Sequence, residues 1–320
     1  MDTGMFVISL DFELEYGMED SVNKNTENML LKTRTIIPQI LNCFEKYQVH
    51  ATWATVGKLF ATDKKNMYSY YPIDLPTYSN ILLSSYEYDS RIKNDEKIDP
   101  YHYALELINK IKMTPGQELG SHTFSHYYCN TEGQTENQFK EDIKSALNIM
   151  QDNCNIKPIS IVFPKNEIND KYVDYIGQMG FTSYRGAPNQ YIYKSNNFLI
   201  KIYRFVSAYF GKSSDGIYMI SEILEKSICN IKASAFLRPY SKHLFFLEPL
   251  KIHRIKKQME FAAKHNGVFH LWWHPHNFGN NTIKNMNNLI EILKYYQYLN
   301  EKYNFKSYNM MEISNKILNL

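Results

Sequence analysis

Gly120-Ser121-His122-Thr123-Phe124-Ser125-His126 sets two imidazoles four residues apart among small and hydroxyl side chains. A divalent metal needs ligands that converge from a fixed scaffold, and neutral imidazole nitrogens suit zinc well. Gly116-Gln117-Glu118-Leu119-Gly120 leads into the pair as a turn and a short strand, which fixes the direction of both rings. Outward from this stretch the same chemistry recurs at both ends of the chain. Asp11-Phe12-Glu13-Leu14-Glu15 supplies carboxylates, and His270-Leu271-Trp272-Trp273-His274-Pro275-His276 supplies further imidazoles.

Each of these segments adjoins a strand expected from the pattern. Phe6 to Leu10 is a continuous apolar run ending in charge, the mark of a buried strand in a parallel sheet. Val49 to Val56 is β-rich and stops at Gly57. Ile159 to Phe163, Thr182 to Arg185, Val268 to Trp273 and Phe305 to Tyr308 read as further strands. Helices alternate with them. Ile36, Ile40, Leu41 and Phe44 carry helical spacing, with Pro38 expected near a helix start. Tyr101 to Met113 carries another. Thr135 and Gln138 form a capping-box pair ahead of Phe139, Ile143, Ala146, Leu147 and Met150. Tyr172 to Met179, Leu250 to His265 (stopped by Asn266-Gly267) and Thr282 to Tyr303 follow. Repeated β-then-α units imply a parallel sheet, open or closed into a barrel. Two segments interrupt the rhythm, 61–99 and 186–251, the second with a helix expected at Tyr218 to Cys229. Both read as insertions on one catalytic domain spanning 1–320.

Composition excludes several classes. The net charge of +3 on 320 residues comes without a basic run, so no nucleic-acid footprint is present. Cys43, Cys129, Cys154 and Cys229 form no CxxC pair, which suggests neither a zinc ribbon nor a redox motif, and unpaired thiols fit a reducing compartment. The start lacks the basic n-region and long apolar core of a signal peptide, and no run is apolar enough to cross a bilayer; the expected location is cytoplasmic, with membrane proximity open.

Strand ends of βα proteins are where catalytic groups collect. On an extended strand Asp11, Glu13 and Glu15 share one side, so one carboxylate can bind metal while another acts as base. Glu15 reads as a solvated strand end. His274, stiffened by Pro275, is a candidate general acid. Trp53, Trp272 and Trp273 are candidates for stacking on sugar rings, and Arg238 for contact with an anionic substrate.

With these residues in place, the chain resembles the polysaccharide deacetylase family, carbohydrate esterase family four. Ser9-Leu10-Asp11-Phe12-Glu13 is similar to its first motif, in the variant where one residue separates the two acids. Ala51-Thr52-Trp53-Ala54-Thr55-Val56-Gly57 is similar to its second core strand. Gly116 to His126 matches its metal motif, Ile161-Val162-Phe163-Pro164-Lys165-Asn166 falls where its third motif belongs, and Leu271 to Pro275 looks like its final His motif. The resemblance implies a distorted (β/α)7 barrel and a divalent metal, usually zinc. It also implies Glu13, His122 and His126 as ligands, Asp11 as base and His274 as acid. The two acids can exchange roles. Lys165, Arg185 and Arg238 are the candidates for the family's base-orienting Arg, and Lys165, Arg238 and Trp273 for substrate contact. The implied activity is hydrolysis of an N-acetyl group on a sugar or on a nucleotide- or lipid-linked sugar precursor of surface-polysaccharide synthesis. A related amide hydrolase on a non-sugar substrate and a degenerate glycan-binding or assembly protein are the alternatives; the sequence does not speak to oligomeric state.

Overall fold

The computed structural model describes residues 3–187 and 198–319. Its organising element is β1 (Met5–Phe12), buried along its whole length. Parallel neighbours flank it: β10 (Gly267–Trp273) on one side and β2 (Ala51–Thr55) on the other, with β11 (Lys306–Tyr308) pairing at its start. The sheet continues from β2 through β3 (Gln117–Ser121), β4 (Ser160–Ile161) and β5 (Ser183–Tyr184) to β8 (Ile228–Asn230), all parallel. β4 and β5 are two residues each, shorter than the runs expected at 159–163 and 182–185, although backbone bonds from Val162 to Ser121, from Arg185 to Ile161 and from Thr182 to Ile159 extend the pairing on either side.

The ring closes through one irregular strand. β8 runs into β9 (Ala235–Phe236), which pairs parallel with β10. On one side Cys229, Ile231 and Ala233 donate backbone N–H groups to Thr182, Tyr184 and Gly186; on the other, Ser234 and Leu237 donate to His270 and Trp272. Seven parallel positions result, the distorted (β/α)7 barrel expected from the sequence. Segment 186–251 therefore carries the seventh strand within it; its residues 188–197 lie outside the described residues.

Period-two alternation sorts the interior. Phe6, Ile8, Leu10 and Phe12 of β1, with Phe269, Leu271 and Trp273 of β10, pack outward on helices. Met5, Val7 and Val268 point inward as an apolar bottom layer, which a C-terminal helix, α9 (Met310–Leu318), seals with Met310 and Ile313; Ala54, Val162 and Ile231 join the same cluster nearer the mouth. That helix was not expected. Asn309 and Glu312 cap it reciprocally, and its first N–H groups reach Thr52 Oγ1 and Glu118 Oε2.

The outer helices follow the sequence reading with three corrections. α1 (Lys24–Lys46) starts fourteen residues before Pro38, which sits inside it; burial of Ile36, Ile37, Ile40, Leu41 and Phe44 holds both halves against the lost backbone bond. The helix expected at Tyr218 to Cys229 is absent. Instead β6 (Tyr218–Met219) pairs antiparallel with β10, and β7 (Leu224–Glu225) turns into β8 through Lys226 at φ 57°. Each of those short strands finds a sheet edge, and edge pairing outweighs local propensity. Glu15 is buried rather than solvated, because Leu14 at φ 51° ends the strand and swings Glu15 to 3.6 Å from His102 and 3.7 Å from Arg91.

Segment 61–99 is pinned to the barrel mouth. Lys58, just past β2, is fully buried; its ammonium donates to Ser85 Oγ at 3.0 Å, lies 3.6 Å from Asp89, and sits 3.9 and 4.9 Å from the Tyr86 and Tyr71 ring centres. Burial outweighs these partners and pulls its pKa down to about 8. At the far end of the segment, the His102 ring bonds both oxygens of Asp99 at 2.9 Å.

Burial by itself would lower the pKa of His102, yet bonds to Asp99 and Glu15 and their charges push it up to about 9. The folded value exceeds the unfolded one of about 6.5. Its stabilisation is therefore complete below about pH 6.5 and lost as pH rises through about 9. Unfolding free energies of wild type and His102→Gln should differ most at pH 6, and that difference should shrink by about 3 kcal/mol at pH 10. A pH-independent difference would assign the residue a packing role alone.

Candidate metal and acid-base site

Asp11 is the last inward residue of β1 before the mouth, and Arg185, just past β5, meets it as a two-pronged fork. Nη1 donates to Oδ1 at 2.6 Å and Nη2 to Oδ2 at 2.7 Å. The remaining donors are also placed: Nη1 to Ser9 Oγ at 2.9 Å, and Nη2 and Nε to Asn166 Oδ1 at 2.8 and 3.1 Å. Trp272 lies beneath the guanidinium, 4.4 Å from its carbon to the ring centre. Burial would raise the Asp11 carboxyl; the Arg185 charge and bonds, with His274, hold it below the ordinary carboxylate value.

Behind the fork the polarity runs in one direction. The His270 ring, at Nδ1, lies 3.1 Å from the Ile231 carbonyl, which can only accept, so Nδ1 carries the proton. Its Nε2 then accepts from Ser9 Oγ at 2.8 Å, and Ser9 accepts from Arg185. Burial, together with the Arg185 charge, pulls the His270 pKa down to about 3 and keeps the ring neutral.

Glu13 stands one step nearer the mouth. Its Oε1 lies 3.0 Å from His122 Nε2, 3.2 Å from His126 Nε2 and 3.4 Å from His274 Nε2. His122 Nδ1 donates to the Val162 carbonyl at 2.8 Å, which fixes the tautomer. In the neutral ring the Nε2 lone pair then faces a carboxylate lone pair at 3.0 Å, an arrangement that repels unless a proton or a cation lies between them. Glu13, His122 and His126 offer three ligand atoms within 4.8 Å of one another, as do Asp11, Glu13 and His274. Two imidazoles and one carboxylate are a donor set that zinc accepts, as do cobalt, nickel and iron.

The loop that carries both histidines is shaped from outside. Thr123 and His126 take φ 63° and 61°. Asp142 of α4 (Glu136–Cys154) buckles the turn, accepting from the Phe124 and Ser125 N–H groups at 2.7 and 3.2 Å and from Ser125 Oγ. Gly17, at φ 83°, lies flat on the His126 ring; a Cβ there would fall 2.4 Å from Cε1, so only glycine fits. Tyr128 stands edge-on to His126, its N–H held by Tyr78 Oη from segment 61–99.

His274, past β10, is 23% exposed and lies 3.7 Å from Asp11 Oδ2. Partial burial would lower its pKa, but the Glu13 and Asp11 charges raise it above the ordinary histidine value. His276 packs against it at 5.0 Å between ring centres and is pulled down to about 4, chiefly by burial. Trp272, Phe236 and His274 form an aromatic wall, with 4.7 Å between the Phe236 and Trp272 centres.

Of the substrate contacts expected from the sequence, Lys165 reaches the mouth: it is exposed at φ 55°, its ammonium 3.7 Å above the Tyr128 ring. Arg238, past β9, sits over Phe205 at 5.5 Å and does not meet Asp11. Trp273 faces away, fully buried against Phe44 and Phe278, and Trp53 is likewise in the outer core; neither has a face for a sugar ring. Alternation along β10 puts Trp272 in the site instead. Ser9, Asp142 and Asn166 were not foreseen. Asp142 had one visible signal, a carboxylate between Phe139 and Ile143 on an otherwise apolar face.

Residues 22–184, just over half of the chain, match the family described as polysaccharide deacetylase. No curated protein matches. Among solved structures, one from Mycobacterium smegmatis described as a polysaccharide deacetylase superposes with a TM-score of 0.62 at 12% identity, covering 100% of this chain and 92% of that one. The PuuE allantoinase gives 0.58 at 11%, covering 97% and 89%. A Pseudomonas aeruginosa PAO1 structure, also described as a polysaccharide deacetylase, gives 0.56 at 11% with the same two coverages. At such identities these likenesses speak for the fold, and it is the family match, running from α1 to β5 through the His122–His126 loop, that makes the chain a member of the polysaccharide deacetylase family.

Proposed function

We propose that this protein is a metal-dependent hydrolase that removes an N-acetyl group from a sugar, with a nucleotide- or lipid-linked precursor of surface polysaccharide as its substrate. The observation that carries the reading is the fixed His122 tautomer, whose Nε2 lone pair meets Glu13 Oε1 where only a proton or a cation relieves the repulsion. Glu13, His122 and His126 would hold the metal, zinc by the softness and count of the donors. When bound, such a cation supplies Lewis acidity toward a water and toward an amide carbonyl.

The chain's own groups then divide the proton transfers. Asp11, kept ionised by Arg185, accepts a proton from the attacking water through the Oδ2 edge that faces His274. His274, whose pKa is raised by Glu13 and Asp11, holds a proton at Nε2 and gives it to the departing nitrogen. Water and amide become acetate and a free amine, with no other reactant needed. Arg185 takes the part of the base-orienting Arg, and Asn166 fixes Arg185. Residues 1–320 act as one catalytic domain in this reading. A cytoplasmic site of action fits the four cysteines, none of them in a disulfide among the described residues.

Metal analysis of purified protein, beside acetate release from acetamido sugars and their nucleotide conjugates, tests the proposal. Wild type should hold close to one divalent ion, and His122→Ala should lose both the ion and acetate release. A wild type that takes up no metal after reconstitution would sink the mechanism.

Arg185→Lys should retain metal and KM but lower kcat by about a hundredfold, because an ammonium cannot reproduce the fork. Asn166→Gly keeps the left-handed backbone (φ 52°) while deleting the acceptor, and should cost about tenfold in kcat; Asn166→Asp should recover most of it. Equal losses in Gly and Asp variants would refute the role given to Asn166 Oδ1.

A further inference from the structure

Beside the mouth, the surface carries more exposed apolar bulk than a solvated rim needs. α6 (Phe198–Phe210) ends with Val206 and Phe210 exposed at 44% and 66%, one helical turn apart. The turn Lys242–Leu247 and the start of α7 (Glu248–Lys264) expose Phe245 at 63%, Phe246 at 61% and Leu250 at 40%. The two groups adjoin. α6 packs on α7, and a Cβ on Gly211, next to Phe210, would lie 2.6 Å from Arg254 Nε. Leu250 and Arg254 are four residues apart on α7, so they share the side that meets the end of α6, and Phe246 lies in the turn just ahead of that helix.

This rim belongs to the catalytic face. α7 follows β9 and precedes β10, two parallel strands, so its N-terminus lies level with the strand ends that carry Arg238 and His274. Lys251 Nζ ties it there, donating to the Arg238 carbonyl at 2.9 Å.

Charge chooses among possible occupants. Residues 205–215 and 241–257 contain two acids, and each has a cation: Glu248 is buried and paired with Lys251 at 2.7 Å, and Asp215 lies 3.7 Å from Arg254. The same stretches expose Lys212, Lys242 and His243 around the phenylalanines. Large apolar side chains ringed by cations in excess of the acids, both of which are paired, match the interfacial layer of an anionic bilayer, where rings enter the acyl boundary and cations meet headgroup phosphates. A protein partner of ordinary composition would be met by a rim of mixed sign.

We infer that Val206, Phe210, Phe245, Phe246 and Leu250, with Lys212 and Lys242, dock the mouth onto an anionic phospholipid surface. Resting on the deacetylase reading, this selects the lipid-linked acetamido sugar as the substrate class: the sugar is presented at headgroup height while its anchor stays in the membrane.

Flotation with vesicles of 70% phosphatidylcholine and 30% phosphatidylglycerol tests the docking without any turnover. Wild type should float with them, should bind pure phosphatidylcholine weakly, and should be released by high salt. Phe245→Ser/Phe246→Ser and Lys242→Glu should each weaken binding about tenfold or more. Ile283→Ser, an exposed apolar position on the helix Thr282–Tyr303, should leave it unchanged. Matched circular dichroism melts separate misfolding from lost docking. Failure of wild type to float, equal binding by the double variant, or a concentration-dependent dimer abolished by that variant would each overturn the inference. Acetate release from soluble substrates is read separately: if it persists without flotation, the docking fails and the deacetylase reading stands, and if flotation persists while no acetamido sugar is cleaved, the reverse holds.

Discussion

The pairing of Asp11 with Arg185 inside the barrel is the constraint on which the site depends. Removing a carboxylate and a guanidinium from water costs several kcal/mol per ion, and a buried pair repays this only when geometry is good and every donor is placed. Here all five guanidinium N–H groups find oxygen: two on Asp11, one on Ser9 and two directions converging on Asn166 Oδ1. The flat face that makes no hydrogen bonds rests on Trp272. Four separate elements are thereby fixed to one another: β1 through Ser9 and Asp11, the turn after β4 through Asn166, the end of β5, and β10. No lysine could do this, since a single ammonium offers three donors with no plane.

From that pair the barrel interior is graded. The bottom layer is apolar and sealed by α9; the middle carries Ser9, His270 and Arg185 in a chain whose every bond has a defined donor; the mouth gathers Glu13 and three imidazoles. Solvent access increases along the same direction, from fully buried His270 to partly exposed His274. The gradient explains why neighbouring histidines behave oppositely. His270 and His276, buried without a facing carboxylate of their own, are driven toward the neutral ring, whereas His274 between Glu13 and Asp11 is driven toward the charged one.

Much of the barrel was legible because strands of a parallel sheet are continuous apolar runs and their helices repeat at 3.6 residues. Asp11, Glu13, His122, His126 and His274 were legible for a related reason: they lie one to five residues past a strand expected from the pattern, and a barrel brings all strand ends to one mouth. What escaped depends on contacts that no local pattern encodes. Arg185, Lys165 and Arg238 are equivalent as text; only the closure of β5 beside β1 lifts Arg185 above the others. Asn166 matters through a left-handed backbone and one oxygen, and Asp142 through bonds to Phe124 and Ser125, 18 and 17 residues earlier in the chain. Trp273 and Trp272 differ by one residue, hence by one face of the sheet, and alternation could not be phased before β10 had known neighbours. The seventh strand escaped for a physical reason too: it is held by a few backbone bonds to β5 and β10 rather than by a long apolar run.

The two carboxylates, interchangeable on paper, are made unequal by their partners. Asp11 has a permanent countercharge, and both its oxygens are committed to it, so its lone pairs toward the mouth are spare capacity for a proton rather than the strongest available metal ligand. Glu13 has no fixed cation. It meets only imidazoles, and for His122 the nitrogen it meets has no proton to share in the neutral ring. A positive ion relieves that second arrangement and would add little to the first, because Arg185 already neutralises Asp11. Electrostatics alone therefore favours the ligand role for Glu13 and the base role for Asp11, and it does so through a carbonyl on Val162 that touches neither carboxylate.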